Sequence, residues 1–459
     1  MTELSSDITA AKRMFEYDPA LTERFFELCR GRLESASSLP VGFGSARAPA
    51  PGVIDGLITE EGTDPERVLD LFLTELAPGM LVTDSPDDVA YVPHAPTQAA
   101  RLFDMWVACA SLPGTHWFEA AGAITAENQA LRVLADLAGM PESAGGCFVS
   151  GGSMGNLSAL YVARERYGQR ARGRARVALS AETHVSAALA LRLLGMDAIE
   201  VPTDDHRLTG ETLRAALEAD PRAEDVVAVV ATAGTTNAGM VDDLEGIAAV
   251  AKEREIWMHV DGAYGGGGLF VPELKRLYHG IEHCDSIVID PHKWLFTTYD
   301  CGALLYREPT YAKDVLAQHA SYLEILHTDD QNEWNPGDFA FHLTRRMRGL
   351  PFWYSLAVYG LRAYREAIAG AVDMAHRCAR MIDDLPYLEL IREPELSVVL
   401  FRRQGWGRDD YLGWCDRLLR DQRAHVAPTG WEGEPCARLG FGHPQTSIEL
   451  VEALLASMA

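Results

Sequence analysis

From Cys147 onward, short apolar runs rich in Val and Ile alternate with stretches whose apolar positions recur at helical spacing. The runs are Arg176–Leu179, Ala198–Val201, Val226–Ala231, Ile256–Val260, Ser286–Ile289 and Ala303–Tyr306. Between them lie Leu157–Arg166, Val185–Leu194, Leu213–Ala219 and Leu244–Lys252. Strands that are apolar throughout predict a sheet covered on both faces, and the alternation predicts βαβ units with right-handed crossovers. Gly360–Ile382 predicts a long helix. Beyond it, strands at Val398–Phe401, Ala424–Ala427 and Ala437–Phe441 alternate with helices that include Asp409–Asp421 and Ser447–Met458. That pattern predicts a smaller C-terminal α/β layer.

Ahead of Cys147 the pattern is helical. Leu21–Leu33 carries Leu21, Phe25 and Leu28 on one stripe, and Pro65–Leu76 repeats this with Val68, Leu71, Phe72 and Leu76. Both predict helices of an N-terminal arm, separated by a Ser-, Gly- and Pro-rich linker or surface loop over Gly31–Pro51. Gln98–Ser111 and Thr125–Leu137 predict long core helices. The organisation expected is an arm over 1–100, a large domain over 101–350 and a small domain over 351–459. Nothing repeats at a fixed period.

Composition narrows the classes. The 459 residues carry 41 basic and 66 acidic side chains, a net charge of −25. Such a field repels phosphate backbones, so nucleic acid and anionic membrane are not expected partners. Hydrophobic residues at 47% and charged residues at 23% are ordinary globular values, which argues against wholesale disorder. No apolar run approaches the ~18 residues of a membrane span, and Met1–Glu16 lacks the apolar core of a signal peptide. The eight Cys form no C-x-x-C, so reduced core thiols are expected rather than disulfides or a metal site. A cytoplasmic protein is expected.

Three segments carry candidate chemistry. Ser150-Gly151-Gly152-Ser153-Met154-Gly155-Asn156-Leu157 follows a short apolar run and opens a helix. Glycines allow close backbone approach, and a helix N-terminus offers free N–H groups and its positive dipole end to a phosphate. It is neither a P-loop nor G-x-G-x-x-G, and a tight turn with a serine cap is the alternative. Ile256–Tyr264 ends an apolar strand in Asp261, before Gly265–Gly268. The acid suits a ligand at a strand end, or the cap of the next turn. Ser286–Leu295 ends another strand in Asp290-Pro291-His292-Lys293-Trp294. Desolvation between His292 and Trp294 is expected to lower the pKa of Lys293 and make its amine a nucleophile; a surface lysine is the alternative. Together, a phosphate cradle, an acid and a lysine match the needs of pyridoxal phosphate. His184, after the strand Arg176–Leu179, is a candidate to stack on its ring.

These residues resemble the group II pyridoxal-phosphate-dependent decarboxylases, which include aromatic L-amino-acid, glutamate, cysteine-sulfinate and diaminobutyrate decarboxylases. The resemblance runs from about Tyr91 to the C-terminus. It is densest from Cys147 to Tyr322, and rests on Pro291-His292-Lys293-Trp294 with His259-Val260-Asp261-x-Ala263-Tyr264. It implies fold type I: a large seven-stranded, mostly parallel domain, a small C-terminal domain, and a homodimer with shared active sites. It implies that Lys293 carries the cofactor as a Schiff base, that Asp261 partners the pyridine nitrogen, and that His184 stacks on the ring. Gly152 and Ser153 would hold the phosphate. Thr236 and Ala263 would line the cofactor, with His292 near the phosphate or the substrate carboxylate. Tyr322 would reach the neighbouring subunit's site and protonate Cα after carbon dioxide leaves; relatives with Phe there tend to oxidise amines to aldehydes. Position 290 departs from the pattern, being Asp where animal members commonly carry Asn.

The reaction implied is L-amino acid to amine plus carbon dioxide. The resemblance places the side-chain pocket near Tyr91, His94, Pro96, Thr97 and Trp117, whose apolar walls suit an aromatic or bulky substrate. Arg345, Arg346 and Arg348 are candidates to pair an acidic substrate, or to form salt bridges within or between chains. Rival readings are another reaction on the same scaffold (amine-oxidising aldehyde synthase, transaminase or carbon–sulfur lyase), a non-catalytic cofactor binder, and a nucleotide-binding module.

Overall fold

The computed structural model describes residues 14–36, 38, 41, 49–92, 95–318 and 332–459. Seven strands form the main sheet: β1 (Gly145–Val149), β2 (Arg176–Leu179), β3 (Asp197–Glu200), β4 (Val226–Thr232), β5 (Trp257–Asp261), β6 (Ser286–Ile289) and β7 (Gly302–Tyr306). Their spatial order is β1-β7-β6-β5-β4-β2-β3. From β3 to β6 every neighbouring pair is parallel, and β7 runs antiparallel to both β6 and β1. Every residue of β4, β5, β6 and β7 is buried, which is why these strands read as unbroken apolar runs.

The register aligns the ends that matter. Asp261, the last residue of β5, sits opposite Thr232 of β4 and Val288 of β6. The helix after β1, α5 (Gly152–Tyr167), lies flat against the sheet. It can do so because Gly155 has no side chain: a Cβ there would come 2.5 Å from Val288 Cγ2. Before the sheet come α1 (Pro19–Glu34), α2 (Pro65–Leu71), α3 (Gln98–Ala110) and α4 (Trp117–Leu137). Between strands lie α6 (Val185–Leu194), α7 (Gly210–Ala219) and α8 (Leu244–Arg254), and α9 (Pro309–Leu316) follows β7.

A long helix, α10 (Leu350–Asp383), leads to a second sheet. It contains β8 (Leu388–Leu390), β9 (Val398–Arg403), β10 (Ala427–Trp431) and β11 (Glu434–Gly440), in the all-antiparallel order β10-β11-β9-β8. Helices α11 (Arg408–Arg420) and α12 (Ile448–Ala456) accompany it.

The structure departs from the sequence reading at several edges. The loop expected over Gly31–Pro51 begins late, because Gly31–Glu34 close α1. The long helix starts at Leu350 and passes through Gly360, whose φ of 73° kinks it. The strand expected at Ala424–Ala427 lies at Ala427–Trp431 instead. Ala424 and Val426 are buried but outside the ladder, while Pro428 and Gly430 sit in an edge strand, where the N–H that proline lacks is tolerated. Five of the eight cysteines are buried thiols, whereas Cys109 is exposed. Among the described residues no helix is long and apolar enough to cross a membrane, and no cluster of His, Cys, Asp and Glu could hold a metal ion.

Candidate active site

The turn from β1 into α5, the end of β5 and the segment after β6 converge on one cavity of about 330 Å³. They meet at the C-terminal ends of β4–β6, the edge where parallel sheets gather ligand-binding loops. Gly152, Ser153, His184 and Thr236 line this cavity, together with Ala263 and His292. Asp261 and Lys293 line it too.

Lys293 Nζ lies 2.9 Å from Asp290 Oδ2, and His292 Nε2 lies 3.7 Å from the same oxygen. Burial pulls the Lys293 amine down, but the charges of Asp290 and Asp261 and the Asp290 hydrogen bond outweigh it. Lys293 is therefore held above the usual lysine range. This reverses the expectation that desolvation would depress it: the acid three residues earlier in the chain is folded back against the amine. His292 goes the other way, lowered mainly by burial. Its Nδ1 accepts from the Cys301 N–H at 3.0 Å, so the ring's proton sits on Nε2, facing Asp290.

Asp261 is buried and well supplied with donors. Asn156 Nδ2 donates to its Oδ2 at 2.8 Å, and the Ala263 N–H donates to its Oδ1 at 3.1 Å. Both carboxylate oxygens are thus held in place by donors, with the group lining the cavity.

These residues fit pyridoxal phosphate. At Gly152 a Cβ would come 2.9 Å from Ala263 Cβ and 3.1 Å from Asp290 Oδ2, so only bare backbone leaves room there. That bare backbone opens a 16-residue helix, an N-terminus with free N–H groups for a phosphate. Lys293 offers an amine to an aldehyde, and Asp261 offers a carboxylate to a pyridinium. Asp290 Oδ1 is buried without a hydrogen-bond partner beside this cradle. The negative charge of Asp290 is offset by Lys293.

Sequence reasoning missed four residues of the site. Asn156 lay inside the glycine-rich motif but reads there as an ordinary helix position. Ser186 and His259 join it in the network described below. Arg438 comes from the second sheet: its guanidinium donates to Thr236 O at 3.1 Å and to Ala90 O at 2.5 Å, clamping the loop that lines the cavity. Nothing local marks it, because 202 residues separate it from Thr236.

The residues expected to form the side-chain pocket are scattered in this chain. Tyr91 is half-exposed, with its ring 5.9 Å from the Arg438 guanidinium. Pro96 and Thr97 line a different cavity, with Phe296 and Tyr364. The Thr97 hydroxyl caps α3 at the Ala100 N–H and bonds Ser355. Trp117 starts α4 and packs beside Val107, Ile124 and Met347. His94 and Tyr322 lie outside the described residues.

The chain matches the family model described as the pyridoxal-dependent decarboxylase conserved domain over residues 54–404. It is 32% identical over 350 residues to an aromatic-L-amino-acid decarboxylase of Bacillus atrophaeus, covering 75% of this chain and 73% of that one. It is 33% identical over 417 residues to an L-2,4-diaminobutyrate decarboxylase of Rhizobium meliloti (strain 1021), covering 88% of this chain and 84% of the other. The fold superimposes on the crystal structure of Oryza sativa TDC with PLP and tryptamine at a TM-score of 0.87. Identity there is 25%, covering 96% of this chain and 99% of that one. Sheet order, the residues lining the cavity and similarity agree: this chain belongs to the pyridoxal-dependent decarboxylases, carboxy-lyases of fold type I that act on amino acids with pyridoxal phosphate.

Proposed function

We propose that the substrate is an L-amino acid with an aromatic or otherwise bulky side chain, released as the amine with carbon dioxide. The observation that carries this reading is the fate of three arginines. Arg345 pairs with Glu127, Arg346 with Asp104 and Arg348 with Asp300, at 2.8, 2.5 and 2.8 Å. All three candidates for holding an acidic side chain are spent on internal ion pairs. A short basic side chain is the second reading, favoured by the similarity to the diaminobutyrate enzyme.

Bound in the cavity, pyridoxal phosphate supplies an electron sink for the pair left on Cα when carbon dioxide departs. The protein supplies the rest. Lys293 tethers the cofactor through Nζ. Asp261 keeps the ring nitrogen protonated through its carboxylate, in a site where such a charge pair is weakly screened. His184 covers the ring face. The Gly152–Ser153 turn would hold the phosphate, with Thr236 and Ala263 lining the cofactor and His292 near the phosphate or the substrate carboxylate. The Tyr322 hydroxyl delivers a proton to substrate Cα once carbon dioxide has left, which favours amine over aldehyde as product.

A cytoplasmic homodimer is part of this reading. Trp106 is 60% exposed on α3 and Phe118 is 64% exposed at the start of α4, with Leu102 beside Trp106 one turn away. Two exposed rings and a leucine on these two helices suit burial against a second copy.

The test is a panel of aromatic, acidic, basic and branched L-amino acids, with carbon dioxide and amine measured together. Stoichiometric release from the aromatic class is expected. Release from diaminobutyrate alone would overturn the aromatic assignment. Lys293→Ala is expected to lose both the covalent cofactor and turnover, and full activity in that variant would overturn the role of Lys293.

A further inference from the structure

We propose that Asn156 is a positioning residue whose single side-chain amide ties Asp261 to His184, and that Trp257, Ser286 and His259 set the direction of that amide. The inference rests on the reading above, in which Asp261 and His184 face the cofactor.

Asn156 is fully buried, one layer behind the cavity wall. Its Nδ2 lies 2.8 Å from Asp261 Oδ2 and 3.0 Å from Ser186 Oγ, and its Oδ1 lies 2.8 Å from His259 Nε2. An ionised carboxylate only accepts, so the amide nitrogen must face Asp261, and both its hydrogens are then used. The amide oxygen is left to accept from His259. That ring is buried, and desolvation pushes its pKa down. It is therefore neutral and carries one proton, which the amide oxygen draws to Nε2.

The other side of His259 agrees. Its Nδ1 must accept, and Ser286 Oγ lies 2.8 Å away. The serine is free to donate there because it receives the Trp257 indole N–H, also at 2.8 Å. Indole is a donor only, so it anchors the direction of the whole chain. From Trp257 to Asp261 every donor meets an acceptor, with none left over.

The second branch reaches His184. Ser186 Oγ receives a hydrogen from Asn156, so its own proton is directed to His184 Nδ1, 2.8 Å away. The Ser186 backbone N–H points to the same nitrogen at 3.3 Å. With Nδ1 accepting from both, neutral His184 keeps its proton on Nε2, the opposite edge of the ring. One amide thus supplies a hydrogen bond to the acid at the ring nitrogen and selects the tautomer of the residue on the ring face.

The test reads His184 directly in cofactor-free protein labelled with nitrogen-15 at histidine, at about pH 9 where free imidazole is neutral. The signal is assigned by its loss in His184→Gln. The wild type is expected to show a single tautomer protonated at Nε2. Ser186→Ala and Asn156→Ala should each give a mixture, and Ser186→Thr should restore the single form. In the holoenzyme, Ser186→Ala should lower kcat about tenfold, the scale of one hydrogen bond, with KM and bound-cofactor absorbance unchanged. Asn156→Ala should in addition shift the cofactor's visible absorbance and raise its dissociation constant about tenfold. If His184 keeps its Nε2 tautomer in Ser186→Ala, the proposal is overturned. The Ser186 pair decides the matter even if Asn156→Ala does not fold. Failure of wild-type protein to trap pyridoxal phosphate at Lys293 on borohydride reduction would sink the site reading instead, and the nitrogen-15 result would still stand on its own.

Discussion

The carboxylate of Asp290 lies 2.9 Å from the amine of Lys293 and is almost wholly buried. The residue that distinguishes this chain's lysine motif is thus the ion-pair partner of the lysine itself. Since Asp290 and Asp261 hold Lys293 in its ammonium form, removing one of the two charges must release the proton at lower pH. Asp290→Asn keeps the shape and deletes the charge. The pH at which half the protein carries cofactor, followed by visible absorbance, is expected to fall by about one unit or more. His292, 3.7 Å from Asp290, remains in both proteins and does not alter the sign. An unchanged midpoint would show that Asp290 does not govern the amine.

Tyr322 is the expected proton donor to substrate Cα. In Tyr322→Phe the amine yield should fall while aldehyde and peroxide rise in oxygenated buffer. Equal product ratios in the two proteins would remove the hydroxyl from the reaction.

Arg345 and Glu127 form a buried pair, with side chains 1% and 2% exposed. Glu127 also accepts the Gly349 N–H at 2.7 Å, and Arg345 donates to Gly114 O at 2.7 Å. Glu127→Ala leaves a guanidinium buried without its counter-charge, which costs about 3–5 kcal/mol. Urea unfolding should report that loss. A variant as stable as wild type would free Arg345 to be read as a substrate-binding group.

His206 joins the two sheets' surroundings. Its Nδ1 lies 3.0 Å from Glu182, two residues before His184, and its Nε2 lies 3.2 Å from Glu432, beyond β10. Burial alone would lower its pKa, but hydrogen bonds to both glutamates raise it above 6.5. A raised value in the folded state means that the stabilisation is complete below pH 6.5 and is lost as pH climbs through the folded value. Asp205, Arg207 and Arg392 surround the same corner, and so does Asp242, a buried acid raised to about 7 that is present in both proteins compared below. Denaturation midpoints should therefore decline from pH 6.5 upward in the wild type. His206→Gln should flatten that decline, and an identical slope in both proteins would exclude the histidine.

Much of the architecture was readable in the chain. Strands β2 and β4–β7 were located to within a residue or two, because burial on both faces leaves an unbroken apolar run. The cavity's lining was readable where it is local: Asp261 ends β5, Lys293 follows the end of β6 by four residues, and Gly152–Ser153 opens a helix. β10 was misplaced because Ala424–Ala427 is the apolar stretch, whereas the strand runs on through Pro428 and Gly430, which only the ladder to β11 marks.

What the chain order could not give was partnership. The sign of the Lys293 shift depends on a backbone turn that folds Asp290 onto it, against the burial that sequence context alone suggests. Asn156 meets Asp261 across 105 residues, and Arg438 meets Thr236 across 202. The arginines at 345, 346 and 348 were a choice between substrate and salt bridge until Glu127, Asp104 and Asp300 were found against them. Periodicity and strand-end polarity are set by neighbours a few positions away, so the sequence carries them openly. Charge balance and hydrogen-bond direction are set by groups that only packing brings within 3 Å, so they belong to the tertiary structure.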